Sequence, residues 1–438
     1  MYEENKEARG MTYTGLETYV QQAAFHKTLT RLYGAEGAEK AHSRCMEVME
    51  EFYKIFDRSA ETLFSAPGRT EIGGNHTDHQ KGCVLAASVD LDILAAVAPT
   101  QSGIIRVLSQ GYPMIEVDLR ELDPKEEEIN TSAALIRGVA SRMSAMGCDL
   151  RERGLDVYMT STVPKGSGLS SSAAYEVLMG TMLNELFWEG RCTAVELAQI
   201  GQYAENHFWD KASGLMDQMA CAVGGPIRLD FSNDVKYEKV DFDFARFGYE
   251  MVIVNTGKGH ADLSREYSEI PEEMKAVAKC LGGNWLADCS MEQLLENYAK
   301  VQSEVANDRA ILRAIHYFNE NDRVERAVAA AEKNDGKTLL AVLDESGRSS
   351  WELLQNCYAI ADYKEQKIAL ALALTEHFLK KIGDGCCRIH GGGFAGVIVA
   401  LIPQDATQEY VDYIAKFVGA ENVYPMQIRA AGAIHLEA

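Results

Sequence analysis

The sequence predicts an α+β fold, because strand-like and helix-like segments follow one another without the regular βαβ alternation of a doubly wound sheet. A β-rich block early in the chain and a long helical block later carry that prediction. The chain has 438 residues, 47% hydrophobic and 25% charged, enough for two or three folded units with a large core and no disulfide staples. It contains no internal repeat and no low-complexity segment.

Residues 1–45 read as a polar extension with one or two amphipathic helices, since Leu16, Val20, Ala23 and Ala24 recur at helical spacing. A further helix carries Val48, Met49, Phe52, Tyr53 and Phe56. Strands are expected at residues 62–66, 82–98 and 104–117, a helix at 132–146 and a strand at 155–160. Pro164, Gly166 and Gly168 mark a loop, and an apolar helix starts near Leu169. Helices at 194–207 and 215–222 precede a strand at 249–255, whose near-continuous apolar run suits a buried position. The chain then reads as mostly helical to about Ile382, and closes with strands at 396–402 and 430–435 around a helix at 408–418.

The formal net charge of −22 argues against nucleic acid or an anionic membrane as the main partner. It also means that any nucleotide site must be built locally, from backbone N–H groups and a few cations. The ten cysteines follow no zinc or CxxC spacing, which suits reduced thiols in the cytoplasm. No run approaches the roughly 18 apolar residues of a membrane helix. The opening MYEENKEARG is too acidic and polar for a secretory signal.

Three glycine-bearing motifs concentrate the chemistry. The middle one runs Val163-Pro164-Lys165-Gly166-Ser167-Gly168-Leu169-Ser170-Ser171-Ser172-Ala173-Ala174. It has a strand before it, small residues through it and a helix after it. Glycines let a backbone approach a ligand closely, and the free N–H groups and dipole of a helix start attract anions. The serines add hydroxyls for phosphate oxygens or Mg2+. The pattern is not a Walker A loop, and a plain serine-capped helix start is the other reading.

The first motif is Pro67-Gly68-Arg69-Thr70-Glu71-Ile72-Gly73-Gly74-Asn75-His76-Thr77-Asp78-His79. Its density of polar side chains beside a strand suits a hydroxyl-rich ligand, and Arg69 could stabilise a transferring phosphoryl group. A polar loop is the plainer reading, and a zinc site at His76, Asp78 and His79 has poor metal geometry on a strand. The third motif, Arg388-Ile389-His390-Gly391-Gly392-Gly393-Phe394-Ala395-Gly396, feeds an apolar strand. It reads as close backbone approach to a ligand or as a flexible turn.

In this order the motifs resemble those of the GHMP small-molecule kinase superfamily, from about Glu47 to the C-terminus. The first is similar to the galactokinase signature, the second to the superfamily's phosphate loop and the third to its glycine loop. The resemblance implies a two-lobed fold with the active site in the interlobe cleft. Residues 1–45 would form the extension, 46–225 the N-terminal domain and 226–438 the C-terminal domain. It implies ATP and a small-molecule sugar as substrates, Mg2+ as cofactor, and phosphorylation of the anomeric hydroxyl, most simply of galactose to galactose 1-phosphate.

The resemblance also places roles on residues. Asp217 falls on the catalytic aspartate, partnered by Arg69. Asn75, His76, Asp78, Gly214 and Tyr267 fall on sugar contacts. Gly166, Ser167, Gly168, Leu169, Ser170, Ser171 and Ser172 fall on the ATP-binding loop. Glu205, with Ser171 or Ser172, falls on the Mg2+ position. Asp217 would accept the hydroxyl proton, or only orient the sugar; its plainer reading is a helix-start carboxylate.

The chain departs from the pattern at three places. Asn75 stands where galactokinases usually carry glutamate, Thr70-Glu71 replaces the more usual Val-Asn, and Ala395 replaces a glycine. Loss of a pocket carboxylate at position 75 opens galacturonate as an alternative substrate, and another kinase of the superfamily, acting on N-acetylgalactosamine or a uronic acid, is the second reading. A catalytically silent sugar sensor on the same fold is the alternative outside enzymes, with residues 1–45 the place for a protein contact. The plainer reading of those residues is an extra helical layer on the N-terminal domain.

Overall fold

The computed structural model describes residues 15–164, 168–209, 213–233, 235–257, 263–394 and 396–436. It opens with α1 (Gly15–Val20) and α2 (Ala23–Phe56), followed by β1 (Thr62–Gly73), β2 (Cys83–Thr100), β3 (Ile104–Ser109) and β4 (Ile115–Asp118). Then come α3 (Ser132–Ala145), β5 (Gly154–Ser161), α4 (Ser171–Phe187), α5 (Ala194–Ala204), α6 (Met216–Val223), β6 (Pro226–Asp230), β7 (Lys236–Lys239) and β8 (Tyr249–Asn255). A helical stretch holds α7 (Ser264–Cys280), α8 (Met291–Glu296), α9 (Tyr298–Val305), α10 (Asp308–Glu332), α11 (Gly336–Ser349) and α12 (Lys367–Ile382). The chain ends with β9 (Cys386–His390), β10 (Val397–Pro403), α13 (Thr407–Val418), β11 (Val423–Met426) and β12 (Ile434–His435).

Among the described residues the strands form two sheets. The first has eight strands in the order β12-β1-β2-β5-β3-β4, with β6 beside one end of β2 and β7 beside β6. β3 and β5 are parallel and the other pairs antiparallel. The second is antiparallel in the order β11-β8-β10-β9. Strands and helices are thus mixed as an α+β fold requires.

Side-chain alternation along β1 and β2 explains the layering of the first lobe. Phe64, Ala66, Ala95 and Val97 enter a core with α3, α4, α5 and α6. Their neighbours Leu63, Leu94, Ala96 and Ala98 enter a core with α1 and α2 on the other face. A third core joins Ile72, Leu85 and Val89 of the first sheet to Met251, Ile253 and Val399 of the second, with Val324, Leu339 and Leu343 of α10 and α11. The two sheets therefore meet at the far end of β1, where the first motif lies.

The structure differs from the expected boundaries in physical detail. α2 runs through position 45, because Cys45, Val48, Met49 and Phe52 continue the buried face begun by Phe25, Leu29 and Leu32. Its one interruption is at Gly34, with φ 72° and ψ 171°, a conformation glycine adopts without a Cβ penalty. β1 does not stop at Pro67; register shifts at Pro67/Arg69 and Glu71/Gly73 absorb the irregularity as bulges. The stretch expected as one strand at 104–117 is two, because a turn intervenes in which the Tyr112 N–H donates to the Ser109 carbonyl.

Nor does the first sheet end at Gly225. It takes in Pro226–Asp230, Lys236–Lys239 and Ile434–His435. Gly224 marks close packing of the chain's end against the first lobe: a Cβ there would lie 1.9 Å from the Gly432 nitrogen.

One buried carboxylate ties both ends of the chain to this sheet. Asp92 on β2 is fully enclosed. It accepts from the Tyr33 hydroxyl at 2.5 Å, from Ser65, from Arg44 of α2 and from Arg429 at 3.3 Å. Burial alone would raise its pKa, but Arg44 and Arg429 bring it below the ordinary value. All ten cysteines are free thiols. No described helix is long and apolar enough to cross a membrane.

Candidate active site

Arg69 projects from the bulged part of β1 and meets Asp217 on the first turn of α6. The contact is bidentate: Nε donates to Oδ1 at 2.7 Å and a terminal nitrogen to Oδ2 at 2.9 Å. The other terminal nitrogen donates to the Gly168 carbonyl. Burial works against the Arg69 charge, and the attraction and hydrogen bonds of Asp217 overcome it, raising its pKa. The Asp217 side chain keeps 26% of its surface open, so a ligand can reach the carboxylate.

The phosphate-loop segment closes over this pair. Leu169 is buried and its carbonyl accepts the Arg69 backbone N–H at 3.1 Å. Ser170 precedes α4 with φ 54° and ψ 58°, a left-handed conformation costly for a residue with a Cβ. Its hydroxyl donates to Asp217. Ser171 opens α4, and the Ser172 hydroxyl donates to Glu205 at 2.7 Å. Glu205 is buried where α5 gives way to a π-helical turn, and its second oxygen accepts from Gln218 at 3.1 Å. Gly166 and Ser167 lie outside the described residues, as do Lys165 and Ala395.

The expected sugar contacts divide. Asp78 lies against Gly214: a Cβ on Gly214 would sit 3.0 Å from Asp78 Oδ2. Burial raises the Asp78 carboxyl pKa, and the negative Asp217 adds to the rise. His76 Nε2 donates to the Gly392 carbonyl at 2.8 Å, which leaves Nδ1 to accept from His79 at 3.3 Å. Burial holds the His76 imidazole down to about 4, so the ring is neutral near pH 7. Tyr267 donates to the Gly393 carbonyl at 2.6 Å.

Asn75 is where the structure departs from expectation. Its side chain is 0% exposed. The amide nitrogen donates to Glu71 at 3.0 Å and to the Gly391 carbonyl at 2.7 Å. The amide oxygen accepts from Asn356 at 2.9 Å and Ser350 at 3.3 Å. Two hydrogen bonds donated and two accepted exhaust a primary amide, so the Asn75 side chain bridges groups inside the protein. The chemistry requires an amide: a carboxylate at 75 could not donate to both Glu71 and Gly391. Glu71 itself pairs with Arg388 at 3.1 Å, and burial pushes its carboxyl up to about 7 despite that partner.

Three successive carbonyls of the glycine loop are thus each held by a different residue: Gly391 by Asn75, Gly392 by His76 and Gly393 by Tyr267. From α10, Glu320 accepts the backbone N–H groups of Gly74 at 3.0 Å and Asn75 at 3.3 Å. His316, one turn earlier, faces the Asn75 carbonyl at 2.9 Å. Sequence reasoning missed both. Their one signal is a pair of polar residues four apart on the buried face of α10, a face they share with Arg313 and Arg323.

A two-lobed α+β chain with an Arg–Asp pair beside a serine-headed helix has the frame of a GHMP small-molecule kinase. Residues 134–225 match the family described as GHMP kinases N terminal domain. Residues 50–99 match the galactokinase galactose-binding signature. Over 375 residues the chain is 31% identical to a galactokinase of Lacticaseibacillus casei (strain BL23), covering 84% of this chain and 92% of that one. It is 30% identical to a galactokinase of Enterococcus faecalis over 87% of this chain and 97% of that one. The chain belongs to the galactokinase family. A crystal structure of Lactococcus lactis galactokinase complexed with galactose superposes with a TM-score of 0.75 at 25% identity, over 89% of this chain and 99% of that one. A mevalonate kinase structure, 15% identical with a TM-score of 0.57, shares the fold over 84% of this chain and 99% of that one.

Proposed function

We propose that this chain transfers the γ-phosphoryl group of ATP to the anomeric hydroxyl of galactose, giving galactose 1-phosphate and ADP. The observation that carries the reading is the bidentate Arg69–Asp217 pair, partly open to a ligand and set beside the N-terminus of α4. Asp217 accepts the proton of the attacking hydroxyl. Arg69 keeps the carboxylate ionised and faces the charge that develops on the transferring group. The N–H groups and dipole at the start of α4 hold phosphate oxygens. Asp78, Gly214, His76 and Tyr267 border the sugar.

The oxygen-rich pair Ser172–Glu205, with Ser171 beside it, suits a hard cation such as Mg2+. When bound there, Mg2+ would offset phosphate charge. Glu205→Gln is expected to raise the Mg2+ concentration needed for half-maximal activity by about 10–100-fold, read from a Mg2+ titration at fixed ATP. An unchanged requirement would leave Glu205 only the role of holding Ser172 and Gln218.

Galacturonate as substrate followed from the loss of a carboxylate at position 75, where Asn75 makes its amide hydrogen bonds inside the protein. The test is ADP release with Mg-ATP and galactose, N-acetylgalactosamine, galacturonate, glucose or talose. Galactose is expected to give the highest kcat/KM. Turnover of another sugar with galactose silent would move the substrate; ATP binding with no turnover on any sugar would favour a sensor.

A further inference from the structure

His390 ends β9 at the junction of the two sheets and has no part in the chemistry above. It is 2% exposed. Its Nε2 receives the Glu71 backbone N–H at 3.2 Å and lies 3.0 Å from the Thr70 hydroxyl. A backbone N–H can only donate, so Nε2 carries no proton. Burial holds the imidazole well below its ordinary pKa, and the Arg69 and Arg388 charges push the same way, so the ring is neutral. Its proton therefore sits on Nδ1.

That Nδ1 is buried and has no hydrogen-bond partner among the described residues. Native proteins rarely leave a buried donor unmet. Its direction is informative: Nδ1 lies 3.3 Å from where a Cβ on Gly168 would be, and Gly168 has φ 68°. The carbonyl of Gly168 is also the one that holds Arg69, whose other edge grips Asp217. An unmet donor thus sits against the residue that links the phosphate-loop segment to the Arg69–Asp217 pair.

We propose that the His390 Nδ1–H is a hydrogen-bond donor to a phosphate oxygen of the nucleotide bound over Gly168, held in the required tautomer by the Glu71 backbone N–H. This rests on the kinase reading given above. A neutral donor suits the place, since Arg69 already supplies positive charge and a second buried cation beside it would be repelled. Glu71 and Thr70 then act as positioning residues that aim the ring from behind.

The two ring nitrogens can be tested separately. His390→Gln places an amide near Nε2, where its oxygen can still accept the Glu71 N–H, but offers nothing at Nδ1. His390→Asn places an amide N–H near Nδ1 and abandons Nε2. Wild-type turnover with Mg-ATP and galactose is measured first. His390→Gln is then expected to lower kcat/KM for ATP by about 10–100-fold with the galactose KM unchanged. His390→Asn should keep most of the wild-type value. Independently of activity, the Nδ1–H resonance of 15N-histidine-labelled wild type should move downfield on adding Mg2+ and AMP-PNP. An active wild type whose Nδ1–H does not move, with His390→Gln unchanged in kcat/KM for ATP, overturns the assignment alone. A wild type that neither binds nor turns over ATP overturns the kinase reading itself.

Discussion

Asp217→Asn is expected to lower kcat for galactose phosphorylation by about 10²–10⁴-fold, the usual contribution of a positioned general base. Asparagine keeps the shape of the side chain, and its oxygen can still accept from Arg69 or Ser170. What it loses is the ability to take a proton, and with it the counter-charge for a guanidinium that burial disfavours. The measurement is steady-state ADP release with galactose and ATP varied separately. If Asp217 acts as base, kcat falls while the galactose KM changes little. If it only orients the sugar, the galactose KM rises and kcat stays within about tenfold. Circular dichroism on the same sample establishes that the variant is folded.

Glu320→Ala is expected to destabilise the protein by about 3–5 kcal/mol, as removal of one partner from a buried ionic network does. Glu320 is fully buried on α10. It accepts from two backbone N–H groups of the first motif, from the Ser346 hydroxyl at 2.6 Å and from Arg323 at 2.7 Å. Removing it leaves a buried guanidinium, two unmet backbone donors and an unmet hydroxyl. Urea unfolding at pH 7 gives the magnitude.

The same residue makes a pH prediction. Burial alone would raise its pKa, but His316 one turn away, the charges of Arg323 and Arg388 and the Ser346 bond bring it down from 4.5 to about 2. A depressed acid contributes stability that is complete above its unfolded pKa and is lost as pH falls through the folded value. Wild type should therefore lose stability from about pH 4.5 downward toward pH 2. Glu320→Gln should be less stable at pH 7 and show a flatter acid limb. An acid limb of equal slope in both proteins would assign the loss to other carboxylates.

Much of the site was legible because its chemistry is local in sequence. The three motifs put Arg69, the serines of α4 and the glycine loop into short runs whose residue types have few other uses. The pairing of Arg69 with Asp217, 148 positions apart, came only from family resemblance. Asn75 shows the limit most clearly. Its departure from the family pattern is visible in the sequence, but its partners Ser350 and Asn356 stand 275 and 281 positions away, and no local rule connects them. Without those partners the amide reads as a ligand contact; with them it reads as a bridge.

The strands that sequence reasoning missed share a cause. β6 and β9 have five residues each and β7 and β11 have four, too few for alternation to rise above chance. They exist because a neighbouring edge was already in place, so their signal lies in the partner rather than in themselves.

Asp92 carries a consequence for how the protein is made. On the ribosome the chain emerges from its N-terminus, so Tyr33, Arg44 and Ser65 are available to this carboxylate early. Arg429 and the strand at Ile434–His435 leave the exit tunnel only after the other strands of both sheets. Until then Asp92 has only one of its two guanidinium partners, and β1 has a bare edge. Vectorial synthesis therefore cannot finish this lobe ahead of the other, although most of its residues are translated first. A chain lacking the residues from Arg429 onward would carry the other strands of both sheets with that edge of β1 bare, which is the kind of species that cellular proteolysis removes.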